Sequence, residues 1–544
     1  MRRYYAFFPF VILYILGVAS FANFGVIDDH SLTTTLLQDK AILLGQHVMV
    51  EIGRFFPLNG QDLNLISLFF SPSPAIFYAF NAACVLVILL ALFYALRILV
   101  SHLAAALDVE IQSRRLTKAI LLSLFILLVT PAFIQSHLRL FVPERMEFLL
   151  LSLFLACYAF VLKADFKNQS PFLARIVLTL GLALANMALY YKETAFAFLA
   201  SFGLCHLLLR AVFGLRLARL KIFDLGLVIS SLVWLGIYFL VVVINKQSEG
   251  KYGGEYIYQS TKIASRIFFS FWKMILNEPF LILSLLASLV LVVVVLVKRR
   301  PGWPLLVALS LACLVFVAEY IVIGIFPANH YLLPCYIFGL PLLALAIYMR
   351  YQCKIYKGLF IVAGVYSLVA VLPNSLLLFG HYKLVPNNFQ ENVRFLASYL
   401  QEHGKAKLYL HNMHPVASTE VYASYEKWLN FYGADGLFDL DSELKADNTP
   451  LYENSPHSAY NTRALIKEAA GDLVVLPYSN YLEAREFLNN PNYELVQSSR
   501  YNATIPSLSI RSFIRFVKLW IEEGELRNVG QLSDYNFYVF LVKG

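Results

Sequence analysis

The residues best suited to chemistry lie in short polar clusters beside long apolar stretches. The first is Ile27-Asp28-Asp29-His30. Two adjacent carboxylates near a membrane surface can supply a general base, with the partner orienting it or holding a divalent cation. The same pair can instead cap a helix, since Asp29 precedes a helix-compatible run. The second cluster is Tyr190-Tyr191-Lys192-Glu193-Thr194. Lys192 and Glu193 there make either an interfacial ion pair or a seat for a lipid-linked phosphate. Third is Pro143-Glu144-Arg145-Met146-Glu147, where the fork of Arg145 suits bidentate phosphate binding or simple anchoring at an interface. Fourth is Asn329-His330-Tyr331-Leu332-Leu333-Pro334, with His330 a phosphate or metal contact at most. Arg54, in Gly53-Arg54-Phe55-Phe56-Pro57, is a fifth candidate. His411 and His414 also lie close together, but two ligands fall short of a metal site.

These clusters are positioned by apolar segments. The chain is 59% hydrophobic and 15% charged, with a mean hydropathy of +0.64. A soluble chain carries roughly 25% charged residues, so much of this surface must face lipid. Spanning takes about 20 mostly apolar residues. Eleven segments qualify, at about 4–23, 75–100, 119–134, 146–163, 172–190, 195–213, 222–244, 279–297, 304–325, 332–349 and 358–379. The first is longer than a signal-peptide core, so it is kept as a span. Lys and Arg crowd alternate loops: Arg2 and Arg3, Arg114 to Lys118, Lys163 and Lys167, Arg210 to Lys221, Lys298 to Arg300, Arg350 to Lys357. That side is expected to be cytoplasmic, with the N-terminus inside and the C-terminus outside. The formal charge of +9 follows these loops and does not point to nucleic acid.

Two outer loops are long. In loop 24–74 the stretch Leu36 to Ile52 is expected to form an amphipathic surface helix. Loop 245–278 is rich in Gly and Tyr, from Ser248 to Gly254 and on to Tyr256 and Tyr258, and is expected either to order over a ligand or to connect passively. From about residue 380 polar residues return, dividing the chain into a membrane part, 1–379, and a soluble domain, 380–544. Helical patterns at Asn392 to His403, Thr419 to Phe431, Tyr481 to Leu488 and 509–522 alternate with short strands at Lys407 to Leu410, Leu473 to Leu476, Tyr493 to Gln497 and Phe537 to Val542. The expected result is a small α/β domain with a largely parallel sheet. All six cysteines, Cys84, Cys157, Cys205, Cys313, Cys335 and Cys353, precede this domain, so its own core must hold it.

Taken together, Asp28-Asp29, Glu144-Arg145, Tyr191-Lys192-Glu193 and His330-Tyr331-Leu332-Leu333-Pro334 resemble the motifs of GT-C glycosyltransferases. These membrane enzymes use polyprenyl-phosphate-linked sugars, as do protein O-mannosyltransferases and lipid A aminoarabinose transferases. The resemblance covers roughly residues 1–350 and departs where some members carry an arginine and this chain has His330. It implies a polytopic α-helical membrane protein whose first acidic loop supplies the base. Asp28 or Asp29 would then deprotonate an acceptor hydroxyl, which displaces the lipid phosphate with inversion. Lys192, Arg145, Arg54, His330 and Tyr331 would bind that phosphate, supported by Glu144 and Glu193. A divalent cation on Asp28 and Asp29 is optional in this reading. The implied partners are a polyprenyl-phosphate sugar, a lipid, glycan or protein acceptor, and membrane lipids. The implied location is a bacterial inner membrane, with the C-terminal domain periplasmic.

Three rivals make different demands. A polysaccharide polymerase or ligase of another fold would place arginines and a histidine in a large late loop, whereas the loop at 326–331 is short. A transporter or flippase would place ionisable residues near mid-span, where Glu319 is the nearest case. A scaffold would leave Asp28 and Asp29 dispensable.

Overall fold

Long apolar runs in this chain become helices because in lipid only a helix satisfies its own backbone. The computed structural model describes residues 7–50, 53–167, 171–215, 217–245, 263–298, 303–323, 329–349, 354–411, 415–442, 469–479, 481–499, 517, 521 and 535–544. The Gly- and Tyr-rich stretch at 248–258, residue His414, and all of the expected helix 509–522 but residues 517 and 521 lie outside them.

In chain order the helices of the first part are α1 (Phe7–Ala19), α2 (Gln61–Ser67), α3 (Pro74–Ala106), α4 (Ser113–Leu128), α5 (Pro131–His137), α6 (Pro143–Lys167), α7 (Pro171–Tyr191), α8 (Ala195–Val212), α9 (Ala218–Tyr238), α10 (Ile263–Asn277), α11 (Pro279–Lys298), α12 (Trp303–Ile323), α13 (Tyr336–Met349) and α14 (Lys354–Tyr366). Among the described residues eight helices are long and apolar enough to cross a membrane, and two bent pairs raise the number to ten. The pairs are α4 with α5, bent by 61°, and α10 with α11, bent by 114°. Prolines Pro131 and Pro279 open the second member of each pair, where the missing N–H costs nothing. The first expected span, 4–23, corresponds to α1, of which 13 residues are described.

The stretch expected as an amphipathic helix is instead two 3₁₀ turns, Leu36–Gln38 and Leu44–His47, and a two-residue strand β1 (Val48–Met49) paired with β2 (Arg54–Phe55). The reason is local. Asp39 adopts a left-handed conformation, with φ 56°. The Ile42 backbone is bound by side chains, its N–H by Asn64 Oδ1 at 2.9 Å and its carbonyl by Asn64 Nδ2 at 2.8 Å. Those bonds replace the helical ones.

The domain boundary expected near residue 380 falls within a helix. Helix α15 (Leu372–His403) runs unbroken through it, with Pro386 inside. It leads into β3 (Ala406–Leu410), α16 (Pro415–Phe431), β4 (Phe438–Ser442), β5 (Leu473–Ser479), α17 (Tyr481–Leu488), β6 (Tyr493–Ser498) and β7 (Asn536–Val542). The sheet order is β4-β3-β5-β7-β6. Strand β3 is parallel to β4 and β5, whereas β7 is antiparallel to β5 and β6, so the sheet is mixed and not largely parallel. One apolar face of the sheet packs on α15 and α16 through Phe389, Leu396, Tyr425, Trp428, Leu473 and Val539.

At the end of the bundle remote from this sheet, α8 and α9 pack backbone to backbone. A Cβ added at Gly203 would stand 2.7 Å from the Asp224 carbonyl oxygen. The contact lets Asp224 receive Arg210 at 3.1 Å, His206 at 2.9 Å and Tyr158 at 3.1 Å, a buried polar network with few unmet bonds. Gly203→Ala is expected to destabilise the bundle by about 1–3 kcal/mol through overpacking. Gly236→Ala, at a helical glycine with nothing within 4 Å of the added Cβ, is expected to be neutral or to add up to about 1 kcal/mol. Thermal unfolding of both variants in detergent checks the contrast.

Candidate active site

Asp28 sits in a backbone shape that sequence cannot announce. The Asp29 N–H donates to the Ile27 carbonyl at 2.9 Å and closes a three-residue γ-turn on Asp28, whose φ is 71° and ψ −45°. A γ-turn of this hand is rare and strained. For a non-glycine residue the cost is on the order of 1–3 kcal/mol, and such strain gathers at functional sites. Asp28 precedes a 3₁₀ helix, Asp29–Thr34, yet its side chain makes no capping bond. The carboxylate goes instead to Arg139, at 2.6 Å, and stays 42% exposed. Arg139 lies between α5 and α6. Burial, the largest single influence, would lower its proton affinity, but Asp28, Tyr382, Asp29 and Tyr331 together outweigh it and raise it, so the guanidinium is firmly charged.

Asp29 turns inward. Its Oδ2 accepts the Gly25 N–H at 2.6 Å and the residue is buried. Burial lifts its carboxyl to about 7, against the pull of the Gly25 N–H. The two carboxylates thus engage different partners. Among the described residues no group of three or more His, Cys, Asp or Glu side chains is placed to hold a metal ion. The optional cation on Asp28 and Asp29 does not fit this arrangement.

The other candidates are assembled from four separate elements. Helix α6 brings Glu144, the turn after α7 brings Lys192 and Glu193, β2 brings Arg54, and the 3₁₀ turn before α13 brings His330 and Tyr331. Lys192 Nζ is 2.9 Å from Glu144 Oε1 and 4.7 Å from the Tyr331 ring centre. Arg54 pairs with Glu193 and lies 4.5 Å over the Phe56 ring. The His330 ring lies tilted against Tyr331, with centroids 4.2 Å apart, within electrostatic range of Glu144, Arg139, Lys192 and Arg54. Its Nδ1 is buried and has no hydrogen-bond partner among the described residues. Asp28, Lys192, Arg54, Glu144, Glu193, His330 and Tyr331 therefore share one polar cluster at one end of the bundle.

Arg145 is the exception. It is buried between Asp62 of α2 and Asn81 of α3, with one guanidinium nitrogen on each. Burial raises the Asp62 carboxyl and Arg145 pulls it back down. The geometry of Arg145 is that of a brace joining α2 and α3. Two residues escaped the sequence reading. Arg139 lies outside every cluster singled out in the sequence, and only its contact with a residue 111 positions away shows its place. His47 reaches the cluster on the short hairpin, within electrostatic range of Asp28 and Arg54, and burial lowers it to about 4. Glu319 lies within range of Glu193 and so belongs to this end of α12, not to mid-span. His411 packs on Phe487 at 4.9 Å. An apolar cavity of about 250 Å³, lined by Phe125, Glu278, Tyr336 and Phe360 among others, lies apart from the cluster.

No family model matches the chain, and no curated protein matches it in sequence. Among solved structures it is similar to the archaeal oligosaccharyltransferase AglB from Archaeoglobus fulgidus in complex with an inhibitory peptide and a dolichol-phosphate. That match has 10% identity, covers 99% of this chain and 89% of the other, and has a TM-score of 0.47. It is also similar to ArnT from Cupriavidus metallidurans bound to undecaprenyl phosphate, with 11% identity, 90% and 95% coverage and a TM-score of 0.41. At this level of similarity the functional reading rests on the site itself.

Two outcomes test the charge assignments. Arg145→Met strands the Asp62 carboxylate and should cost about 3–5 kcal/mol, whereas Arg145→Met with Asp62→Leu should recover most of it. Chemical unfolding in detergent measures both. Asp29, whose carboxyl is raised in the fold, stays protonated there at pH values where the unfolded chain has released its proton. Its contribution is therefore full below about pH 4 and falls away as pH rises towards 7. Asp29→Asn should flatten the fall in thermal stability across that window.

Proposed function

We propose that this protein is an integral membrane glycosyltransferase of the GT-C type. It moves a sugar from a polyprenyl-phosphate donor to an acceptor hydroxyl at the outer face of a bacterial inner membrane. The single observation that carries the reading is Asp28, a half-exposed carboxylate held in a strained turn against Arg139, beside a cluster rich in buried cations. The basic loops support an arrangement with the N-terminus in the cytoplasm and the sheet domain outside.

The chemistry follows from this pairing. Asp28 takes the proton of the acceptor hydroxyl. The oxygen attacks the anomeric carbon from the face opposite the phosphate, forming one C–O bond as the other breaks, so the configuration inverts. The electron pair of the breaking bond leaves on the phosphate. Arg139, Lys192 and Arg54 meet the growing charge, and the open Nδ1 of His330 can serve as a donor when protonated. Each cation already carries a carboxylate partner, which fixes its position before substrate arrives. Asp29 shapes the loop. Arg145 holds α2 and α3 behind it.

Asp28→Asn is expected to lower transfer by about 10²–10⁴-fold, with donor binding unchanged. The assay is release of polyprenyl phosphate from a panel of polyprenyl-phosphate sugars by protein in lipid nanodiscs. Full activity in this variant overturns Asp28 as the base.

A further inference from the structure

The loop carrying Asp28 is gripped from its far side by the C-terminal domain. The Ser424 hydroxyl of α16 hydrogen-bonds to the Val26 carbonyl, two residues before the turn. His30, two residues after it, places Nδ1 at 2.9 Å from Ser424 Oγ. A serine hydroxyl has one proton, and here both its other neighbours are carbonyls, Val26 and Glu420. The His30 Nδ1 must therefore be the donor to Ser424, which fixes the tautomer of the neutral ring. Its Nε2 then faces Glu420 at 3.8 Å. Further back, the Phe24 ring stacks on Trp428 at 5.5 Å. Helix α15 adds two bonds, from Gln390 to the Phe24 carbonyl at 3.3 Å and from Asn387 to the Phe21 carbonyl at 3.0 Å.

A strained turn persists only where its surroundings over-determine it. Here the surroundings come from three sources, the first being Arg139, which holds the Asp28 carboxylate itself at 2.6 Å. Gly25 and Ser31 hold the turn from within the loop, the latter through its hydroxyl on the Asp28 carbonyl at 2.8 Å. Phe24, Val26 and His30 are held from outside, by α15 and α16 alone among these contacts.

We infer that α16 is a positioning element of the active site. Ser424, with His30, holds the Asp28 turn in the shape that aims its carboxylate, so the base works only while the C-terminal domain is seated. The catalytic part of this inference rests on the glycosyltransferase reading. The grip itself does not, and it can be measured without turnover.

The test uses the full chain in nanodiscs and two readouts. One is amide hydrogen exchange over residues 24–35. The other is sugar transfer, with kcat and donor KM determined separately. Ser424→Ala should speed exchange across the loop and cut kcat by about tenfold or more, with donor KM held within about twofold. Ser424→Thr, which keeps the hydroxyl, should restore both. His30→Phe, which keeps a ring but no nitrogen, is the second variant if Ser424→Ala does not fold. Unchanged exchange in both variants overturns the grip. Faster exchange with an unchanged kcat overturns the positioning role. If the wild type transfers none of the panel sugars, the glycosyltransferase reading falls, and exchange alone then decides whether the grip exists.

Discussion

At the polar end of the bundle four cations meet four carboxylates one to one: Arg54 with Glu193, Arg139 with Asp28, Arg145 with Asp62, and Lys192 with Glu144. Most of these groups are buried, where an unpaired charge would cost several kcal/mol. Each pair also joins elements far apart in the chain. Charge neutrality is therefore the condition on which the packing of α2, α6, the turn after α7, and the short hairpin depends. The pairs are not alike. Arg145–Asp62 is sealed, while Asp28 of the Arg139 pair keeps a large exposed face. Openness, not charge, separates the Asp28–Arg139 pair from the Arg145–Asp62 pair.

This pairing also shapes how an anionic ligand can bind. A phosphate finds no bare cation among these four. It finds donors already oriented, and each guanidinium has five N–H groups where one carboxylate uses at most two. A phosphate can add to Arg139 or Arg54 without displacing the carboxylate that holds it. Lys192 is more committed, between Glu144 and the Tyr331 face.

Much of this was legible in the residues. Hydropathy marks the spanning helices because lipid leaves the backbone no alternative. Asp28, Lys192, Arg54, Glu144, Glu193 and His330 were legible as polar groups on one side of those helices. What was hidden depends on distant contacts. Arg139 gains its meaning from Asp28, and Arg145 from Asp62. The domain boundary read at residue 380 follows a change of composition, which falls inside helix α15. A helix can pass from lipid to water without breaking, since its hydrogen bonds are internal. Strand β4 went unseen because Phe438-Asp439-Leu440-Asp441-Ser442 is acidic, as suits an edge strand. The γ-turn at Asp28 has no residue signature, because no glycine marks its positive φ.

The strand order of the C-terminal sheet has a temporal meaning. Strand β7, Asn536–Val542, is made after every other strand, yet it lies between β5 and β6. Until it arrives, β6 has no neighbour and β5 lacks one side among the described residues. The apolar face under α16, which includes Val539 and Phe537, is likewise unfinished. A growing chain can thus insert its helices while the sheet waits open. The domain whose α16 grips the Asp28 loop is thus completed by a strand made after the helices of the bundle and after α16 itself.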